Sequence, residues 1–111
     1  EAAKLCGAVQ LMQTICRENA RQKEKTVLTG DFNALPDSET IRTVRAHLCD
    51  LTDEVPGTFH KFGKFPPEQR QKIDYIFSDA PSDGKAYAVA DEPCDGVYVS
   101  DHFPVCAFVK I

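Results

Sequence analysis

The chain has 111 residues, 42% of them apolar and 27% charged, with a net charge of −4 at neutral pH. That is an ordinary globular mixture sized for one small domain. It excludes a membrane-spanning helix, because no apolar run approaches the roughly 18–20 residues a bilayer demands. It also argues against a dedicated non-specific nucleic-acid binder, which needs a broad basic face. The basic residues are scattered apart from Lys61, Lys64, Arg70 and Lys72. Cys6, Cys16, Cys49, Cys94 and Cys106 are odd in number and contain no CxxC pair, which disfavours zinc and disulfide frameworks. Each lies in or beside an apolar run, so the expectation is buried free thiols in a reducing, cytoplasmic setting.

The first residues, Glu1-Ala2-Ala3-Lys4, enter a helical pattern with no capping lead-in. The first N–H groups of a helix need partners, so the expectation is the C-terminal part of a longer protein. Over residues 2–23, Leu5, Val9, Met12, Ile15 and Cys16 recur at helical spacing and predict an amphipathic helix. The polar run 22–25 ends it, and Thr26-Val27-Leu28-Thr29 reads as a short strand running into Gly30-Asp31. Pro36-Asp37-Ser38 predicts a turn and helix N-cap, with Ile41, Val44 and Leu48 on the buried face of a helix that fades at Cys49-Asp50.

Beyond that the pattern turns to strands. Residues 58–62 alternate, Gly63 and Pro66-Pro67 break into a loop, and 73–77 form a strand. Asp83-Gly84 reads as a hairpin turn into 86–90, and Val97-Tyr98-Val99 leads to Ser100-Asp101-His102 before a last strand over 105–111. The predicted class is α/β: one mixed β-sheet with two helices covering one face.

Three blocks stand at ends of these short apolar runs: Gly30-Asp31-Phe32-Asn33, Lys72-Ile73-Asp74-Tyr75 and Ser100-Asp101-His102. Singly, each has a plain structural reading: a turn at Asp31 and Asn33, an edge-strand acid at Asp74, a loop at Asp101-His102. Together, and in this order, they make a constellation. Asp31 and Asn33 are two apart and can share a rim. A carboxylate there can hold or deprotonate a water while the carboxamide donates to an anionic oxygen. Asp101 adds a hard metal ligand, His102 a titratable donor, and Asp74 an acceptor for the second N–H of His102. Oxygen ligands without cysteine suit Mg2+ first and Mn2+ second. The sum is metal-assisted hydrolysis of a phosphate ester.

These blocks resemble motifs of the endonuclease/exonuclease/phosphatase superfamily, the DNase I-like hydrolases: a GD-x-N motif, an aspartate on a later strand and a terminal SDH followed closely by proline. Gly57-Thr58-Phe59-His60 resembles the family's aromatic strand between the first two motifs. The resemblance covers residues 1–111 as the C-terminal half of the domain, one sheet and two helices of a four-layer α-β-β-α sandwich. It implies Asp31 at the attacking water, Asn33 on the scissile phosphate, Asp101 and Asp31 in the metal environment, His102 on a phosphoryl oxygen, and Asp74 orienting His102. It also implies a missing half carrying an Asn, a metal-binding Glu and a further His, and therefore little activity in this chain alone. An inner sheet face left apolar without that half predicts self-association. The substrate, whether nucleic acid, phosphoinositide, lipid or sugar phosphate, stays open. The alternative reading is a catalytically silent half-domain acting as a structural or interaction module, and a repair nuclease ranks below a general esterase. His60 could reach the rim; His47 is expected to face solvent.

Overall fold

In the computed structural model, which describes residues 1–89 and 93–110, the chain begins with helix α1 (Ala2–Gln22). Its buried stripe is Leu5, Ala8, Met12 and Ile15, with Ala8 and Met12 deepest. Val9 and Cys16 were expected in that stripe and are exposed instead. Both lie roughly a quarter-turn around the axis from its centre, a displacement that i+4 spacing from Leu5 or Met12 conceals. Lys23 closes the helix in the left-handed conformation (φ 57°), its N–H donating to the Asn19 carbonyl at 2.7 Å.

Strand β1 (Val27–Asp31) follows, then helix α2 (Glu39–Arg45), capped as expected by Ser38, whose hydroxyl accepts from the Ile41 N–H. Where the helix was expected to fade, β2 (Cys49–Asp50) forms instead. Strand β3 (Asp74–Ser78) is the centre of a three-stranded sheet ordered β1-β3-β2. A second ladder joins β4 (Tyr87–Ala88) to β5 (Val105–Cys106). The α/β class stands, with both helices on one face. Among the described residues the strand pairs are all antiparallel and fall in two small sheets rather than one mixed sheet. The expected strands over 86–90 and 105–111 are shorter, and Ala90 and Ile111 lie outside the described residues.

Period-two alternation divides β1 and β3 into two faces. Leu28, Tyr75 and Phe77 turn toward the helices and join Ala8, Met12, Ala34, Ile41, Val44 and Leu48 in one core. Phe32 plugs its edge, its ring edge-on to Tyr75 and Phe77 at 5.6 and 5.4 Å. Val27, Thr29 and Asp31 face the other way, opposite Ser78, Ile76 and Asp74. That face was expected to be apolar; it sets Val27 and Ile76 among Thr29, Ser78, Asp31 and Asp74, with Val27 half exposed.

Two further expectations change. Residues 58–62 form no strand: Phe59 makes isolated bridges to Gln71 and His102, and Lys61 and Phe62 then adopt left-handed φ of 54° and 55° before Gly63 at 77°. A non-glycine residue in that region costs about 1–2 kcal/mol, so something must hold it there. The tight hairpin turn is at Asp95-Gly96 rather than Asp83-Gly84. Both its φ values are positive, and Cys94 and Val97 exchange two backbone hydrogen bonds across it. Cysteine burial fails as well, since Cys6, Cys16, Cys49 and Cys94 are exposed. Two of these sit on the outer sides of α1, where apolar neighbours in sequence are not neighbours in space.

Candidate active site

The register of β1 against β3 ends on Asp31 opposite Asp74, so two carboxylates stand side by side on the open face. Directly opposed like charges destabilise a sheet unless donors surround them. Here they do. Asp31 Oδ1 accepts the Asn33 backbone N–H at 2.9 Å, and Asp74 Oδ2 accepts from the Thr58 hydroxyl at 2.6 Å and from His102 Nδ1 at 2.7 Å. A carboxylate only accepts, so Nδ1 carries the hydrogen and Nε2 is turned outward. Around Nε2 lie Asp101 Oδ1 at 3.7 Å and Asp31 Oδ2 at 3.9 Å.

Partial burial opposes charge on His102, but the Asp74 hydrogen bond and charge, with Asp31 and Asp101 behind them, outweigh it and lift its pKa above the ordinary imidazole value. Relative to a free imidazole, the shift favours the imidazolium over the neutral ring. Protonated, it presents an N–H from Nε2 into the space between Asp31 and Asp101. A shallow groove of about 380 Å³ opens beside them on the uncovered face, lined by Thr29, Asp31, Asp74, Ile76, Phe103 and Val105.

Asp31, Asp74, Asp101 and His102 thus converge. Asn33 sits at the same rim with φ 47°, its backbone N–H held by Asp31 and its carbonyl accepting from Lys4 Nζ at 2.7 Å, which leaves its carboxamide exposed. Ligand atoms of Asp31, Asp74 and His102 lie within 4.8 Å of one another, close enough to share a cation. Asp74 and His102 already spend their facing atoms on each other, so the oxygens open to an ion are those of Asp31 and Asp101. Exposed carboxylate oxygens with no thiolate nearby fit a hard divalent cation.

Thr58 escaped the sequence reading as a site residue. It is 0% exposed, donates to Asp74, and accepts from the Ile73 and Asp74 N–H groups at 3.2 and 3.3 Å. Its place in Gly57-Thr58-Phe59 was the available signal; its partner lies sixteen residues away and only the fold reveals it. His60, by contrast, does not reach the rim. It is fully buried against Phe103 and Tyr98, its Nδ1 accepting the Gly63 N–H at 2.9 Å, and its Nε2 has no partner among the described residues. His47 is exposed, its Nδ1 3.6 Å from Cys16 Sγ on α1.

The cation cluster separates into two uses. Lys72 is buried over the Tyr75 ring at 3.8 Å and reaches Thr52 and Asp50. Burial lowers its pKa, with the Asp50 carboxylate opposing that shift. The Arg70 guanidinium lies over Phe103 and donates to the Phe65 carbonyl. Only Lys61 and Lys64 remain fully at the surface.

The two-helix, open-faced sheet is a fold shared with solved structures. A conserved protein of unknown function from Enterococcus faecalis is 27% identical, with a TM-score of 0.74 over 93% of this chain and 44% of that one. An endonuclease/exonuclease/phosphatase from Bacteroides vulgatus is also 27% identical, with a TM-score of 0.77 over 96% of this chain and 43% of that one. A mannosyl-6-phosphatase from Bacteroides thetaiotaomicron, 20% identical, shares the fold with a TM-score of 0.78 over 100% of this chain and 47% of its own. This chain therefore spans less than half the length of each. A comparison with curated proteins gave no match. The model of the Endonuclease/Exonuclease/phosphatase family matches residues 7–102, and the chain belongs to that family.

Proposed function

We propose that this chain supplies the C-terminal half of the active site of a metal-dependent hydrolase of phosphate esters. The observation that carries the reading is His102, fixed through Nδ1 by Asp74 while Nε2 faces Asp31 and Asp101. Such an imidazole is held in one orientation, with Nδ1 committed to Asp74, which suits a donor to a developing phosphoryl charge.

Asp31 holds the attacking water and takes its proton as the new P–O bond forms and the alcohol oxygen leaves on the opposite side. His102 donates from Nε2 to a phosphoryl oxygen, and the Asn33 carboxamide donates to another. Asp74 keeps the imidazole charged and aligned, and Thr58 keeps Asp74 in place. Asp31 and Asp101 would hold a Mg2+ ion, which supplies charge neutralisation at the phosphoryl oxygens when bound. The remaining ligands would come from sequence beyond this chain, so this half alone is expected to be inactive.

The test is Mg2+-dependent hydrolysis of bis(p-nitrophenyl) phosphate by the intact protein, compared with Asp31→Ala and His102→Ala. Both substitutions should abolish most of the turnover. Undiminished turnover in both would sink the assignment.

A further inference from the structure

A row of rings leaves the site on one side of His102. The Phe59 ring centroid is 5.1 Å from that of His102, Phe65 is 5.6 Å beyond Phe59, and Lys61 Nζ stands over Phe65 at 5.3 Å. Both phenylalanines are only half buried. The backbone that lifts Lys61 over this row is the left-handed run 61–63, and Phe62 at its tip is 53% exposed.

The loop is clamped to the site itself. The His60 and Lys61 N–H groups both donate to the carbonyl of Asp101, at 2.9 and 3.3 Å, and the Gly63 N–H donates to the buried His60 ring. A Cβ on Gly63 would come within 2.5 Å of the Tyr98 hydroxyl oxygen, so a side chain there would have to displace the Tyr98 ring. Strain that surrounding contacts over-determine, next to a catalytic rim, is where function is to be sought. Neither Lys61 nor Lys64 has an acidic side chain within ion-pair distance among the described residues, in a chain of net charge −4. Two lysines without an acidic partner among the described residues, beside an aromatic row, can offer cations to an anionic group.

We propose that Phe59 and Phe65, roofed by Lys61, form the specificity subsite for the alcohol half of the substrate. The subsite takes an apolar ring face on the phenylalanines and a second anionic group on Lys61, with Lys64 extending the field. A nucleoside carrying an additional phosphate and a sugar carrying one both have this chemistry, since bases and the C–H faces of sugars each stack on aromatic rings. The proposal rests on the phosphate-ester reading above, because that reading places the scissile group at His102, where the row starts.

The experiment measures competition by four ligands against bis(p-nitrophenyl) phosphate turnover in the intact protein: adenosine monophosphate, adenosine bisphosphate, fructose monophosphate and fructose bisphosphate. Calorimetric binding of the same four, with Mg2+ present, provides a readout independent of turnover. At least one bisphosphate should bind about tenfold tighter than its monophosphate, the scale of one charge-assisted contact. Lys61→Gln should collapse that ratio to near unity, while Lys85→Gln, a surface lysine elsewhere, should leave it intact. Phe65→Leu should weaken both members of the preferred pair alike, keeping their ratio. A larger ratio for adenosine identifies a nucleoside substrate, and a larger ratio for fructose a sugar. Turnover without a bisphosphate advantage, or with one that survives Lys61→Gln, overturns this proposal alone. Binding that depends on Lys61 in a protein without turnover upholds it and overturns the hydrolase reading.

Discussion

The two faces of the β1-β3 pair use the same strands for opposite purposes. On the helix side Leu28, Tyr75 and Phe77 are closed beneath α1 and α2 in an apolar core. On the open side Asp31 and Asp74 face each other one residue out of phase with that core, with His102 brought to them from a distant loop. The core tolerates no polarity without a partner; Tyr75 meets that demand by donating its hydroxyl hydrogen to backbone carbonyls, with burial pushing its pKa well up. The open face tolerates charge only because donors surround each carboxylate. One side therefore supplies the rigidity and the other carries the candidate site, and changes on each should be read by different measurements.

The largest effects should separate the two faces most sharply. Phe77→Ala should cost about 3–5 kcal/mol of stability by leaving a cavity in the core, seen as a lowered denaturant midpoint. His102→Ala should instead lower kcat by about 10²–10⁴-fold while moving stability by only about half a kcal/mol, a contrast measured by running both assays on one preparation. If His102→Ala unfolds the protein as Phe77→Ala does, the division between the faces fails.

Acidity sharpens the open side further. The His102 pKa is raised in the folded protein, so its contribution to stability is fully present below the ordinary imidazole value of about 6.5 and is lost as pH rises through the raised one. Activity that requires the imidazolium should fall over the same upper range. Asp74→Asn removes the main group that raises this pKa, leaving partial burial to lower it. The falling limb, and the His102 ring signal in an NMR titration, should then move to lower pH.

Thr58→Val should cost about 1–3 kcal/mol, because it strips Asp74 of a donor and leaves two N–H groups unpaired, and Thr58→Ser should restore most of it. Ser38→Ala, at the α2 N-cap, should cost about 1 kcal/mol in thermal unfolding and leave turnover per folded molecule unchanged.

Much of the site was legible because each participant sits in a short local pattern. Asp31, Asn33, Asp74, Asp101 and His102 each stand at a strand end or beside a turn, and the structure gathers the three aspartates and His102 at one rim, with the Asn33 backbone N–H on Asp31. Ser38 was legible for the same reason, since an N-cap is decided within one turn of helix. What escaped depends on partners far apart in the chain. Thr58 stands in the local pattern Gly57-Thr58-Phe59, but nothing there names its partner, because the carboxylate it bonds belongs to β3. The run 58–62 alternates like a strand, yet it turns left-handed where its N–H groups find the carbonyl of Asp101. Lys72 groups in sequence with Lys61, Lys64 and Arg70, yet it is buried and reaches Asp50, a residue on a strand too short for any periodicity to show.

Residue order by itself determined the class, the two helices, the carboxylate–carboxamide spacing of Asp31 and Asn33 and the acid–imidazole block, because spacing along a strand or helix dictates which side chains share a face. The tertiary structure decided the rest. It set the antiparallel register that opposes Asp31 to Asp74 and the hydrogen bond that turns His102 Nε2 outward. It also drew the strained loop that stands Lys61 over the aromatic row. Each of these is a contact between segments whose separation in sequence carries no signal, and only closure of the chain on its core brings them within hydrogen-bond reach.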